Sequence, residues 1–156
     1  MTLYFAYGSN LSKGAMRERA PTSRPLVAAR LPEHRLTFEC NEPRGTPPAF
    51  FANVQLFTGA VVHGALYSVD PAALAALDRY EDLSRGVYER VQLAVVRPDG
   101  ATVVAYAYRM NLDGKPSRYG RPAESQLQQI REGYTDWGLD LRELEAAMRL
   151  IPSTRS

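Results

Sequence analysis

The chain has 156 residues, 45% of them hydrophobic and 23% charged, with a formal net charge of +2. That length suits one domain over residues 1–156, long enough to bury a core, and the composition excludes a disordered chain. No apolar run reaches the roughly 20 residues that span a bilayer, and the opening MTLYFAYGSN has neither the basic nor the long apolar stretch of a secretory leader. No membrane association is therefore expected, and the cytoplasm is the expected location.

Cys40 is the only cysteine, so an intrachain disulfide is excluded, and with only His34 and His63 beside it no metal site is expected. The 19 basic side chains are interleaved with 17 acidic ones along the chain. A nucleic-acid partner would call for a basic stripe, so none is expected. No internal repeat and no low-complexity segment is present.

Residues 3–7 form a short apolar and aromatic run that stops at Gly8, a buried strand. Ser12 is placed to cap a short helix over 13–19, ended by Pro21. Two strands are expected at 27–31 and 34–40, then a loop at 41–48 rich in Pro, Gly and Arg. Residues 50–57 and 60–69 read as a hairpin about Thr58-Gly59. Asp70-Pro71 is the sharpest local signal: a capping carboxylate before a proline at the first helical position. The helix it opens is expected over 71–82. Strands follow at 87–96 and 101–110, joined by the turn residues Arg97-Pro98-Asp99-Gly100. Helices are expected from near Pro122 to Gly133, and over 140–150. Strands joined by hairpins, not alternating with helices, indicate an α+β fold with a mainly antiparallel, barrel-like sheet.

Within the helix over 71–82, Leu74 and Leu77 mark an apolar stripe, and on the helical wheel Glu81 falls between them. A carboxylate near the helix C-terminus, on the apolar face, has a raised pKa for two reasons: desolvation and the unfavourable end of the helix dipole. A glutamate poised near neutral pH suits general acid–base chemistry. The plainer reading is that the helix end projects past the core and Glu81 is solvated.

Tyr7-Gly8-Ser9-Asn10-Leu11 follows the first strand. Gly8 lets the backbone approach a ligand, and successive N–H groups there can cradle a carboxylate or an oxyanion. The plainer reading is a strand-ending turn. The segment is no GxGxxG loop, and Ser9 lacks the GxSxG context of a nucleophile. Cys40 has acidic neighbours, Glu39 and Glu42, which disfavour a reactive thiolate. His63 reads as a sheet histidine, Tyr106 and Tyr108 as alternating strand positions, and Trp137 as packing for a tail helix.

At these residues the sequence resembles the γ-glutamylcyclotransferase family, in its YGSN form. The matching segments are Tyr4-Phe5-Ala6-Tyr7-Gly8-Ser9-Asn10-Leu11, Ala52-Asn53-Val54, Val62-His63-Gly64-Ala65-Leu66-Tyr67, Leu77-Asp78-Arg79-Tyr80-Glu81 and Gly86-Val87-Tyr88. The resemblance implies a small mixed, mostly antiparallel β-barrel flanked by helices, with a pocket at one end. It implies release of 5-oxoproline from a small γ-glutamyl substrate without a cofactor. The catalytic glutamate falls on Glu81, and Tyr7, Gly8, Ser9, Asn10, Leu11 and Tyr88 are the implied substrate-binding residues. Two positions depart from the family pattern. A tyrosine seven residues before the glycine of the penultimate helix is here Gln126, with Tyr119 nearby as a stand-in, and a tyrosine of the last helix is here Glu143. The alternatives are a γ-glutamylamine-directed or biosynthetic cyclotransferase, and a non-catalytic binding module on the same fold.

Overall fold

The computed structural model describes residues 1–40, 49–81, 83, 87–110 and 117–152. The loop expected at 41–48, and with it Asp82 and Gly86, lies outside the described residues. In chain order the elements are β1 (Thr2–Ala6), a 3-10 turn (Ser9–Leu11), α1 (Lys13–Arg19), β2 (Arg24–Cys40) and β3 (Phe51–Val69). Next come α2 (Pro71–Tyr80), β4 (Tyr88–Val96), β5 (Thr102–Met110), β6 (Arg118–Tyr119), α3 (Glu124–Trp137) and α4 (Arg142–Arg149).

Five strands close on themselves. β1 runs antiparallel to β3 and parallel to β5, β5 is antiparallel to β4, β4 meets β2 at Arg30 and Val96, and β2 returns antiparallel to β3. β6 adds two residues to the edge of β2. This is the expected mixed, mostly antiparallel barrel with helices outside it. Closure leaves the five strands with partners on both sides, so the sheet needs no edge protection. No helix among the described residues is long and apolar enough to cross a membrane.

Two expectations are corrected. The strands expected at 27–31 and 34–40 are one strand, β2, and the hairpin expected about Thr58-Gly59 is one strand, β3. The two run alongside each other from Arg24↔Ser68 to Glu39↔Phe51. Where a break was expected, both bend: the register passes from Pro32↔Val61 to His34↔Leu56, so Glu33 alone faces residues 57–60. Glu33 has φ 61° and Gly59 φ 84°, and the Gly59 N–H donates to Glu33 Oε2 at 3.1 Å. A two-residue hairpin of type I′ needs positive φ at both central positions. Thr58 is not in that conformation, so the chain kinks instead of reversing.

The helix starts follow their local signals. Asp70 caps α2, its side chain accepting from Ala73 N–H at 2.7 Å, with Pro71 in the first turn. Ser12 caps α1 in the same way through Ala15. α3 does not end at Gly133. It continues to Trp137 and stops at Gly138, which adopts φ 65°. Gly133 is instead a contact glycine. A β-carbon there would lie 2.2 Å from Leu11 Cβ, so α3 packs directly on the 3-10 turn.

The core is continuous. Phe5 and Leu66 share one face of the sheet, Tyr67 points from the opposite face to the 3-10 turn and Trp137, Ala73 and Leu77 seat α2, and Leu127 and Ile130 seat α3. The 3-10 turn after β1 is therefore held between the barrel end and α3, and α2 delivers its last residues to the same end.

Candidate active site

A cavity of about 290 Å³ opens at this end of the barrel. One wall is the β1 end and the turn after it: Tyr4, Tyr7, Gly8, Ser9 and Asn10. The opposite wall is Tyr80 and Glu81 from the end of α2, with Val87 and Tyr88 at the start of β4. Phe51 and Ala52 of β3, Tyr108 of β5 and Gln126 of α3 complete the lining.

Among the described residues of that lining, Glu81 is the single acidic or basic side chain. It is the C-terminal cap of α2, in right-handed helical conformation, and its N–H bonds Leu77 O at 2.9 Å. Leu77, one turn back on the same face, is fully buried. The apolar stripe thus runs into the cavity and ends on a carboxylate, the placement the helical wheel predicts. Burial pushes the Glu81 carboxyl up to about 7, against the opposing pull of the Arg19 guanidinium. A carboxyl of that strength exchanges a proton readily at neutral pH.

The facing turn is tied from several sides. Its internal bonds use the N–H groups of Leu11 and Ser12, to Gly8 O at 3.0 Å and Ser9 O at 3.2 Å. The first N–H groups of such a turn have no partner within it, and those of Ser9 and Asn10 meet none among the described residues. Leu11 O accepts from Trp137 Nε1 at 2.9 Å and from the Tyr67 hydroxyl. Trp137 therefore clamps the turn, a more specific role than the tail-helix packing expected for it. Leu11 itself does not line the cavity. Its side chain is fully buried beneath the turn against Gly133, which corrects its expected place in the binding surface.

The remaining expected residues divide clearly. Tyr7, Gly8, Ser9, Asn10 and Tyr88 all line the cavity with Glu81. Tyr7 donates to Tyr108 O, and Tyr88 donates to Ala52 O at 2.6 Å, so each ring is fixed across the barrel mouth. Burial raises both phenols well above their ordinary pKa, and the nearby Glu81 charge adds to the rise. Gln126 does line the cavity, and its Oε1 is buried without a hydrogen-bond partner among the described residues. Tyr119 does not stand in for it; it lies beside Gln55 and Arg35 on the β2–β6 side. Glu143 is also elsewhere. Its carboxylate accepts from His63 N–H at 2.7 Å and pairs with the His63 ring, fastening α4 to β3. The departure from the family pattern at Glu143 therefore lies away from the cavity, on the helix that packs against β2 and β3.

Sequence reasoning passed over three residues that shape the site. Arg19, at the end of α1, donates to Ser9 Oγ at 3.0 Å, Asn10 Oδ1 at 2.6 Å and Gln129 Oε1 at 2.8 Å. Its guanidinium also lies 4.0 Å from the Tyr80 ring centre. Tyr4 was read only as an apolar strand residue, yet its hydroxyl accepts from Asn10 Nδ2 at 2.8 Å at the cavity wall. Asp78, one helical turn before Glu81, accepts from the Tyr108 hydroxyl at 2.6 Å and from Arg90 at 2.7 Å, locking α2 to the sheet. The exchange Leu77-Asp78-Arg79-Tyr80-Glu81 thus carries one anchoring and one cavity carboxylate.

Comparison with known proteins agrees with this arrangement. The family model described as "Gamma-glutamyl cyclotransferase, AIG2-like" matches residues 4–137. The chain is 30% identical over 112 residues to the gamma-glutamylcyclotransferase of Bos taurus, covering 69% of this chain and 58% of that protein. It is 26% identical over 154 residues to the gamma-glutamylcyclotransferase of Homo sapiens, covering 97% of this chain and 79% of that one. The chain thus spans less than two thirds of the bovine relative's length. Among solved structures, a gamma-glutamyl cyclotransferase superposes with a TM-score of 0.80 at 23% identity, covering 99% of this chain and 90% of that one, and so shares the fold. A crystal structure of a Homo sapiens protein described as uncharacterized superposes with a TM-score of 0.81 at 25% identity, over 99% and 90% of the two chains. With the turn after β1, the Glu81 segment and the barrel from Tyr4 onward inside the matched region, this chain belongs to the gamma-glutamyl cyclotransferase, AIG2-like family.

Proposed function

We propose that the protein cyclises the γ-glutamyl group of a small γ-glutamyl compound to 5-oxoproline, releasing an amino acid or amine. The observation that supports this most directly is Glu81, a carboxyl of pKa about 7 in the wall of a cavity that faces the Tyr7–Asn10 turn. The substrate supplies both reactants, its own α-amine and its γ-carbonyl. No cofactor is needed, and bending the substrate makes the attack effectively unimolecular, an advantage of several kcal/mol.

In this reading Glu81 as carboxylate takes a proton from the substrate ammonium. The freed amine attacks the γ-carbonyl carbon, a C–N bond forms, and the carbonyl oxygen becomes an oxyanion. Glu81 returns its proton to the departing nitrogen as the old C–N bond breaks. It then takes the second proton from the ring nitrogen and passes it on to the released amine. Two protons leave one nitrogen and two reach the other, so Glu81 ends as it began. The N–H groups of Ser9 and Asn10 hold the substrate's negative oxygens. The lone, buried Cys40 suits a reducing compartment, and we infer a cytoplasmic enzyme of one domain.

The test is 5-oxoproline release from γ-glutamyl-alanine and γ-glutamyl-lysine, read by mass spectrometry. Wild type should turn over at least one of them, and Glu81→Gln should lose about 10²–10⁴ in turnover with its fold intact. Near wild-type activity in purified Glu81→Gln would rule out the role. A preference for γ-glutamyl-lysine would identify the amine-directed branch.

A further inference from the structure

The cavity wall carries a hydrogen-bond chain whose direction is fixed by chemistry. Arg19 can only donate, so the atom of Asn10 that meets it at 2.6 Å is the amide oxygen. The amide nitrogen of Asn10 must then point the other way, where it meets the Tyr4 hydroxyl at 2.8 Å. An amide N–H can only donate, so the Tyr4 oxygen accepts. The Tyr4 proton is therefore left over, and no described group takes it. The other buried phenols of this wall are committed: Tyr7 donates to Tyr108 O, Tyr88 to Ala52 O and Tyr108 to Asp78.

We propose that the Tyr4 hydroxyl is a catalytic hydrogen-bond donor into the cavity, aimed at the substrate oxygen that becomes the oxyanion, with Arg19 and Asn10 as the positioning residues that set its direction. The proposal rests on the cyclotransferase reading above. Three further observations support it. Tyr4 is 4% exposed, sits on β1 between Tyr67 of β3 and Tyr106 of β5, and has its hydroxyl held by the Asn10 amide. The Tyr108 ring packs edge-on at 5.7 Å. Burial, and then the nearby Glu81 charge, push the Tyr4 phenol well above its ordinary pKa, so it keeps its proton and acts as a donor rather than as a base. A donor whose oxygen already accepts a bond is polarised toward stronger donation.

Tyr4→Phe removes the O–H and keeps the ring. Asn10→Asp keeps the Arg19 contact but replaces the amide N–H with an acceptor, so the Tyr4 proton turns to Asp and away from the cavity. Both are assayed for 5-oxoproline release beside wild type and Glu81→Gln, across pH to the plateau, because a new carboxylate at position 10 also acts on Glu81. Besides Arg19, the groups facing Glu81 are the phenols of Tyr4 on β1, Tyr7 just after it and Tyr88 on β4, and Tyr80 of α2 lines the same cavity. The expected result is a plateau loss on the order of 10²-fold in kcat for Tyr4→Phe with little change in KM. Asn10→Asp should lose a similar factor, and the double variant should be no worse than the weaker single, since both remove the same bond. Additive losses would mean that Asn10 acts otherwise, and would overturn the relay. Tyr4→Phe within about threefold of wild type in kcat, while Glu81→Gln is inactive, overturns this proposal and leaves the cyclotransferase reading standing. A wild type that forms no 5-oxoproline overturns both. Should Tyr4→Phe not fold, Asn10→Asp decides alone: wild-type kcat at the plateau refutes the proposal.

Discussion

Gly133 of α3 presses on Leu11 so closely that an added β-carbon would lie 2.2 Å from Leu11 Cβ and 2.7 Å from the Leu11 carbonyl carbon. One of those two atoms is backbone, and it belongs to the turn that forms the cavity wall. Helix packing and site geometry therefore meet at one point.

Gly133→Ala should force α3 and the turn apart. The substitution favours the helix intrinsically, by about 1 kcal/mol. Overpacking against backbone outweighs that gain, and a net loss of about 1–3 kcal/mol is expected. Urea denaturation measures the stability. Because the displaced atoms include the Leu11–Ser12 backbone, activity should fall as well, with kcat more affected than the loss of stability alone accounts for.

Raising the Glu81 pKa has a thermodynamic counterpart. Its ordinary value is 4.5 and its folded value about 7, so the folded state holds this proton more tightly than the unfolded state. The stabilising contribution is complete below pH 4.5 and is lost as the pH rises through 7. Above that, the ionised carboxylate sits in surroundings that disfavour it. The shift corresponds to roughly 3 kcal/mol at most, and solvent in the open cavity reduces it. Glu81→Gln should therefore be more stable than wild type by about 1–3 kcal/mol at pH 8, and equal to it near pH 4.5. Melting curves across that range test the sign.

In the proposed mechanism Glu81 must be ionised to take the first proton, so kcat/KM should rise with pH along an acid limb of apparent pKa about 7. The Arg19 guanidinium pulls that value down. Arg19→Met should move the limb to higher pH and also lower its plateau, because Ser9, Asn10 and Tyr80 lose their shared contact. Arg19→Lys keeps the charge and should hold the limb near its wild-type position while still lowering the plateau, since an ammonium cannot reproduce the fork of bonds. A pH–rate profile of both variants separates charge from geometry.

What was legible in the chain follows from which signals are local. Asp70-Pro71 reads correctly because a cap involves only neighbouring residues, and the position of Glu81 at the end of the apolar stripe is legible because the helix it opens sets the wheel. The continuity of β2 and β3 was not legible. Pro32 and Gly59 look like breaks, and only the pairing of the two strands turns each into a bend. Gly133 looks like the helix end, but the packing of Leu11 makes it a contact glycine, and Gly138, with positive φ, is the stop. Arg19 carried no local signal at all, since its partners come from the 3-10 turn, α2 and α3. Gln126 was legible as a departure from the family pattern, but not as a buried acceptor unpaired among the described residues. That property depends on the whole cavity.

Gly8 separates packing from binding. A β-carbon at this position would lie 3.0 Å from Ala52 Cβ, tight but opposed by a single methyl carbon rather than backbone. Strand and turn can yield a few tenths of an ångström, so Gly8→Ala should cost less than about 1 kcal/mol, a fall of roughly 2–4 °C in Tm. The new methyl group, however, enters the gap between the turn and β3, where both residues line the cavity. A misfit of one methyl group there should raise KM about tenfold or more. Ala52→Gly removes the opposing carbon, so the double variant Gly8→Ala/Ala52→Gly should recover part of the lost affinity by letting the turn settle back. A large fall in Tm with KM unchanged would make Gly8 a purely structural glycine, and would move the ligand away from the turn.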